Sequence, residues 1–170
     1  MAGQNDKFAN VITMEVETSA ANTLTFEEVQ IGLSLFDKTG ILLSRIEYEP
    51  FNSAFAQMTA TTDSIFIGVT TSNQLSELNP DQAAVVDRYM VQRQDLGAAA
   101  TGALINTPFV KDLSTLPGGG ILITPKPWYI GITSTGLAAT CKAYVRFYFT
   151  IMKLSPQDYF ELLETRNFFG

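Results

Sequence analysis

Alternation of apolar and polar positions with a period of two runs through most of the chain, and that period puts one set of side chains on each face of a β-strand. In NVITMEVET, Ile12, Met14 and Val16 point one way and Thr13, Glu15 and Glu17 the other. In ILLSRIEYE, Leu42, Ile46 and Tyr48 oppose Arg45, Glu47 and Glu49. SIFIGVTT is apolar at Ile65, Ile67 and Val69, with Gly68 on the opposite face. VVDRYMVQRQD reads as a weaker strand around Tyr89 and Val91, polar enough for a sheet edge or a face that meets a partner. The longest alternation is ATCKAYVRFYFTIMKL. There Cys141, Ala143, Val145, Phe147, Phe149 and Ile151 form one face, and Lys142, Tyr144, Arg146, Tyr148 and Thr150 form an amphipathic second face.

Turn-forming clusters separate these runs: TSAANT, DKTG, NSAFAQMTATTD, TSNQLSELNPDQ, GAAATGALINTP, LPGGG and TSTG. Many strands with no long helices between them predict an all-β, antiparallel β-sandwich. About eight strands suit a jelly roll or an immunoglobulin-like sandwich equally in number, and connections longer than simple hairpins favour the jelly roll.

The pattern changes at the end of the chain. Ser155 is placed as an N-cap, Pro156 at the first helical position and Asp158 in the third, close to a capping box. Tyr159, Leu162, Leu163 and Arg166 follow at helical spacing, which predicts a helix of at most about three turns from Pro156 to near Asn167. The chain therefore divides into a sandwich, residues 1–154, and a C-terminal helix with an apolar tail, residues 155–170. That helix is too short to stand alone, so Tyr159, Leu162, Leu163, Phe168 and Phe169 are candidate contacts on the same or a neighbouring subunit.

Composition sharpens this. Of 170 residues, 46% are apolar and only 16% charged, against about a quarter in ordinary globular proteins. A surface this poor in charge suits a subunit that loses much of it to neighbours, so a homo-oligomer of many copies is expected. Seventeen acidic against eleven basic residues, with no basic arm or stripe, disfavour direct nucleic-acid binding. MAGQNDKFAN lacks the basic start and continuous apolar core of a signal peptide, and nowhere do about 18 apolar residues run together as a membrane span requires. The chain is expected to be soluble when made and not exported by the general secretory route.

Candidate chemistry is sparse. There is no histidine, which removes the usual general base, every Ser-His-Asp or Cys-His arrangement and histidine-based metal centres. Glu15 with Glu17, or Glu47 with Glu49, share a strand face at a spacing compatible with glycoside hydrolysis, but alternate glutamates are also what the wet face of a sheet looks like. Asp63, Asp81, Asp87, Asp95 and Asp112 are oxygen donors without calcium-loop spacing. Cys141, the one cysteine, falls on an inward face and reads as a small buried hydrophobe. No cofactor, no metal and no enzyme activity are expected.

One motif invites a phosphate reading: Gly118, Gly119 and Gly120 in LPGGGILITPKPWYIGI. A phosphate loop must lead into a helix, and Pro125 and Pro127 forbid one here. The triplet instead predicts a structural hinge, ITPKP an extended edge segment or break, and Trp128 a core residue at the start of the next strand. Bulky replacement of Gly119 is expected to harm folding or assembly.

In strand pattern, size and composition the chain resembles the single jelly-roll capsid proteins of icosahedral viruses and, more loosely, the small major capsid proteins of tailless viruses of bacteria and archaea. The resemblance implies a structural virion subunit that self-assembles into a shell in the host cytoplasm, with loops at subunit boundaries, other virion proteins as partners and the genome handled by another component. The chain departs from many small RNA-virus capsids in having no Arg- and Lys-rich N-terminal arm. The alternative is a carbohydrate-binding or fibre-head module, with Trp128, Tyr129, Tyr144 and Tyr148 forming a sugar platform.

Overall fold

The computed structural model describes residues 9–32, 38–60, 62–93, 108–124 and 126–169. The strands in chain order are β1 (Asn10–Glu17), β2 (Thr25–Val29), β3 (Thr39–Pro50), β4 (Ser64–Thr70), β5 (Val85–Gln92), β6 (Phe109–Asp112), β7 (Ile121–Ile123), β8 (Trp128–Thr135) and β9 (Lys142–Lys153). A short helix α1 (Asn52–Gln57) lies between β3 and β4, and α2 (Pro156–Phe169) follows β9.

The pairing is nested. β1 pairs with β9, β2 with β8, β3 with β6 and β7, and β4 with β5, all antiparallel. Two further antiparallel pairings, β3 with β9 and β4 with β8, gather these hairpins into two sheets of order β1-β9-β3-β6 and β2-β8-β4-β5, with β7 also on β3. A long hairpin rolled into two facing sheets is the jelly roll. β6 and β7 lie on the same edge of β3, opposite Arg45–Tyr48 and Ile41–Leu43, so the nine strands of the described residues fill eight ranks. The antiparallel sandwich expected from the alternation is the fold observed, and β5 is an edge strand as its polarity predicts.

The core lies between the sheets. Leu43, Ile46, Tyr48, Ile65, Ile67, Ile130, Ile132, Ala143, Val145 and Phe147 are fully buried. Trp128, 1% exposed, packs edge-on against Phe147 with ring centroids 4.7 Å apart. Cys141 is buried in the same core cluster near Thr18 and Ser134, and burial pushes its thiol above the ordinary range.

Alternation fails within β3. The register of β3 on β9 slips between Leu43 and Arg45, leaving Ser44 as a bulge. Its hydroxyl donates to the Tyr148 carbonyl at 3.0 Å, and its own carbonyl accepts from the Leu113 N–H at 2.8 Å. The extra residue reverses the parity of the first half of β3, so Ile41 and Leu43 face the core and Leu42 does not share the face of Ile46 and Tyr48.

Three turn clusters also differ from expectation. Within NSAFAQMTATTD, Ala54 and Met58 are buried and drive formation of α1; the Gln57 amide then accepts from the Ala139 N–H and donates to the Thr140 carbonyl, tying the helix to the β8–β9 connection. Within TSTG, Thr133 to Thr135 continue β8 and only Gly136 turns. Within DKTG, Thr39 and Gly40 already belong to β3. Most of GAAATGALINTP, and Pro125, lie outside the described residues.

The β4–β5 connection folds back over the outer face of the second sheet. It seats Leu78, 3% exposed, over Gly68 and Gly131, where a Cβ at Gly131 would stand 2.8 Å from Leu78 Cδ2. The Arg88 guanidinium donates to the Leu78 carbonyl at 3.0 Å and holds the connection down.

At the C-terminus, the Ser155 hydroxyl accepts from the Asp158 N–H at 3.2 Å and donates to its carboxylate at 2.6 Å. The helix runs 14 residues, past the expected end near Asn167 to Phe169.

The glycine triplet joins β6 to β7. Two successive turns, closed by Leu116 N–H to Leu113 O and Gly119 N–H to Leu116 O, carry the chain past the Ser44 bulge and back onto β3. Gly118 and Gly119 take φ of 89° and 78° in open surroundings, whereas a Cβ at Gly120 would stand 2.4 Å from the Leu43 carbonyl oxygen. The steric demand therefore falls hardest on Gly120. In denaturant unfolding, Gly119→Ala should cost about 1–2 kcal/mol from its left-handed backbone. Gly120→Ala should cost more, on the order of 3 kcal/mol, at the upper end of ordinary single substitutions.

Candidate assembly surface

The outer face of the first sheet is a ladder of alternating charge across β1, β9, β3 and β6. Lys142 lies between Glu15 and Glu17, at 3.1 and 2.9 Å. Arg146 reaches Glu47 at 3.2 Å and Thr13 at 3.1 Å. Arg45 and the Tyr148 hydroxyl also donate to Glu47, and Arg45 lies over the Tyr148 ring, 5.0 Å from its centroid. Glu47 is thus 9% exposed yet fully engaged. Hydrogen bonds from Lys142 lower the Glu17 carboxyl below its ordinary value. Glu15, Glu17 and Glu47 are anchors for cations on neighbouring strands, the cross-strand arrangement that stabilises a sheet. Glu17, with its carboxyl lowered, is not arranged as a protonated general acid needs.

Asp63 and Asp112 are similarly committed. Asp63, 2% exposed, accepts from the N–H groups of Thr59 and Ala60, both at 2.7 Å. Asp112 accepts from the N–H and hydroxyl of Ser114, which lower its carboxyl. Asp95 lies outside the described residues, and among those described no three of His, Cys, Asp and Glu are grouped as a metal site requires. A shallow depression of about 340 Å³ borders Asp112 and is lined by Ser44, Arg45, Val110, Ser114 and Tyr148.

Where the edge strands β5 and β6 meet, Tyr48, Tyr89 and Phe109 stack: Tyr89 and Phe109 at 4.5 Å, Tyr48 and Tyr89 at 5.7 Å. The Tyr48 hydroxyl donates to Asp87 at 2.8 Å, and Lys111 reaches the other oxygen of that carboxylate at 3.3 Å. One carboxylate on β5 thereby clasps β3 and β6 of the opposite sheet. Sequence alone could not find this clasp, because Tyr48 reads as an ordinary inward aromatic and Asp87 as an oxygen donor without calcium-loop spacing.

The four aromatics of the sugar-platform reading do not come together. Trp128 is buried, Tyr129 faces out from the second sheet, and Tyr144 and Tyr148 face out from the first. Tyr144 instead packs on Phe51, centroids 4.6 Å apart. On α2, Tyr159 is 5% exposed within its own subunit, Leu162 and Leu163 are half-buried, and the side chains of Phe168 and Phe169 lie outside the described residues. Phe160, which the helical spacing did not single out, is 60% exposed. Among the described residues the other large exposed apolar side chains are Val11, Met90, Phe109, Val110, Leu116 and Tyr144, so four of these seven lie on the edge strands β1, β5 and β6.

No family model matches the chain, and no curated protein matches it in sequence. Among solved structures it is similar to VP1 of Trichodysplasia spinulosa-associated polyomavirus in complex with 3'-sialyllactose, at 8% identity and a TM-score of 0.47, covering 89% of this chain and 98% of that one. A second VP1 structure from the same virus gives 9% identity, a TM-score of 0.44 and coverage of 89% and 97%. A Bacillus endospore appendage protein, from a family of disulfide-linked pili, gives 14%, 0.36, and 91% and 95%. At these values the likenesses carry no functional weight, and the jelly-roll assignment stands on the strand pairing.

Burial, and secondarily the Asp87 carboxylate, raise the Tyr48 phenol well above its ordinary value. The folded state therefore holds this proton more tightly than the unfolded chain. Its contribution is complete below the unfolded value of about 10 and is lost as pH rises above it. Tyr48→Phe should cost about 1 kcal/mol at neutral pH, measured by urea unfolding. It should also flatten the fall of stability above a pH of about 10, in part only, because burial raises Tyr89 as well.

Proposed function

We propose that this chain is a non-catalytic structural subunit, a capsid protein that self-assembles in many copies into the shell of a virus particle. The observation that carries the reading is the placement of exposed apolar side chains. Val11, Met90, Phe109 and Val110 lie on edge strands of a jelly roll, the flanks by which one sandwich meets another. A 16% charged content leaves little of the polar cover a solitary protein carries.

The arrangement also supports a division of labour in the particle. The cations on the outer face of the first sheet are matched by carboxylates, and the chain as a whole carries a net charge of −6, so packing of a polyanionic genome falls to another virion component. Assembly in the host cytoplasm and residence in the virion complete the proposal. On α2, Tyr159 is buried within its own subunit, and Phe160, Leu162 and Leu163, together with Phe168 and Phe169, are the proposed contacts with neighbouring subunits.

Light scattering of the purified protein across a concentration series, with negative-stain microscopy of the same samples, tests this. The expected result is a mass of many subunits and closed particles or rings. A protein that stays monomeric at millimolar concentration overturns the reading.

A further inference from the structure

We propose that copies of this chain join head-to-tail, the β5/β6 flank of one seated against the β1/β2 flank of the next; this rests on the self-assembly reading and specifies its contact. The sheet orders define two flanks. β1 and β2, the first strands of their sheets, lie side by side, and β5 and β6, the last strands, meet through the Tyr89–Phe109 stack.

The flanks differ in charge. β1 and β2 carry Glu15, Glu17, Glu27 and Glu28 and no basic residue. Lys142 answers the first two, but among the described residues no cation answers Glu27 or Glu28, both exposed. β5 and β6 carry Arg88 and Lys111 beside Asp87 and Asp112, with Lys111 46% exposed. Their apolar groups, Met90 at 44%, Phe109 at 40% and Val110 at 42% exposure, face a counterpart in Val11 at 54%.

Two β1/β2 flanks brought together repel, which disfavours a two-fold contact through them. The β5/β6 flank, where Arg88 and Lys111 balance Asp87 and Asp112, offers that acidic surface apolar area without net negative charge. Strand direction agrees with this. Every pairing is antiparallel and each sheet has four ranks, so a neighbour placed in the same sense presents β1 antiparallel to β6 and β2 antiparallel to β5. Contacts of this heterologous kind close into rings or shells or extend as filaments.

The test uses two variants of the full chain: Glu27→Lys with Glu28→Lys, which spoils one flank, and Val110→Glu, which spoils the other. All three positions are exposed, so unfolding midpoints near that of the parent are expected; Val11→Glu and Met90→Glu replace whichever does not fold. In sedimentation, each variant alone should associate at least tenfold more weakly than the parent. Their equimolar mixture should form a one-to-one dimer and nothing larger, because one intact pair of flanks remains. Parent-like association of either variant overturns this contact and leaves self-assembly standing, and a mixture that stays monomeric shows a contact that is not head-to-tail. A monomeric parent overturns both readings.

Discussion

The pairing of β9 with β1 on one side and β3 on the other is the constraint on which the rest of the jelly roll depends. It joins Asn10 to Phe149 and Thr39 to Lys153, so the roll closes only when the last strand reaches the first. The closure entropy grows slowly with loop length, but it must be met before the contact rewards it. What offsets it is the inward face of β9, where Ala143, Val145 and Phe147 are fully buried and Phe147 receives Trp128 from the opposite sheet. With β9 in place, β2–β8 and β4–β5 nest inside a closure already made. The outward face of the same strand must then meet water between two neighbours, and Lys142 and Arg146 do so by pairing with the glutamates of β1 and β3.

This division explains what could be read from the sequence. Where a strand has one dry and one wet face the period of two is visible, as in β1, β4 and β9. Where the chain departs from that condition the pattern misleads. Ser44 inserts one residue, and a bulge has no signature in alternation, so the pattern puts Leu42 on the wrong face. TFEEV contains adjacent glutamates because β2 is an edge strand whose Glu27 shares the register face of Val29 yet escapes to the rim; no period marked it. FVKD is exposed throughout and equally silent. α1 and the Leu78 seat are set by tertiary contacts that local propensity does not encode. The glycine triplet was legible as a turn, but which glycine bears the steric load depends on the Leu43 carbonyl, a residue distant in sequence.

The candidate surface was legible only in aggregate. Low charge content pointed to association, but the clasp of Tyr48, Asp87 and Lys111 joins three strands from two sheets, and the difference between the flanks appears only once the sheet order is known. α2 illustrates the same limit: spacing grouped Tyr159 with Leu162 and Leu163, whereas docking buries Tyr159 and turns Phe160 outward.

A jelly roll leaves open edges, and each is guarded here against uncontrolled strand addition. β6 is four residues long and carries Lys111 and Asp112; β2 carries an inward-register glutamate; β5 is distorted opposite Val69 and Thr70; β1 presents alternate glutamates. Such devices work against flat, hydrogen-bonded edge pairing. They leave the side chains of Val11, Met90, Phe109 and Val110 exposed all the same. Guarded backbone with exposed apolar side chains is the combination a reversible, geometrically fixed contact requires. In the proposed contact, side-chain packing would set the angle between copies and charge would set which flank meets which, whereas open backbone would pair with any strand that reached it.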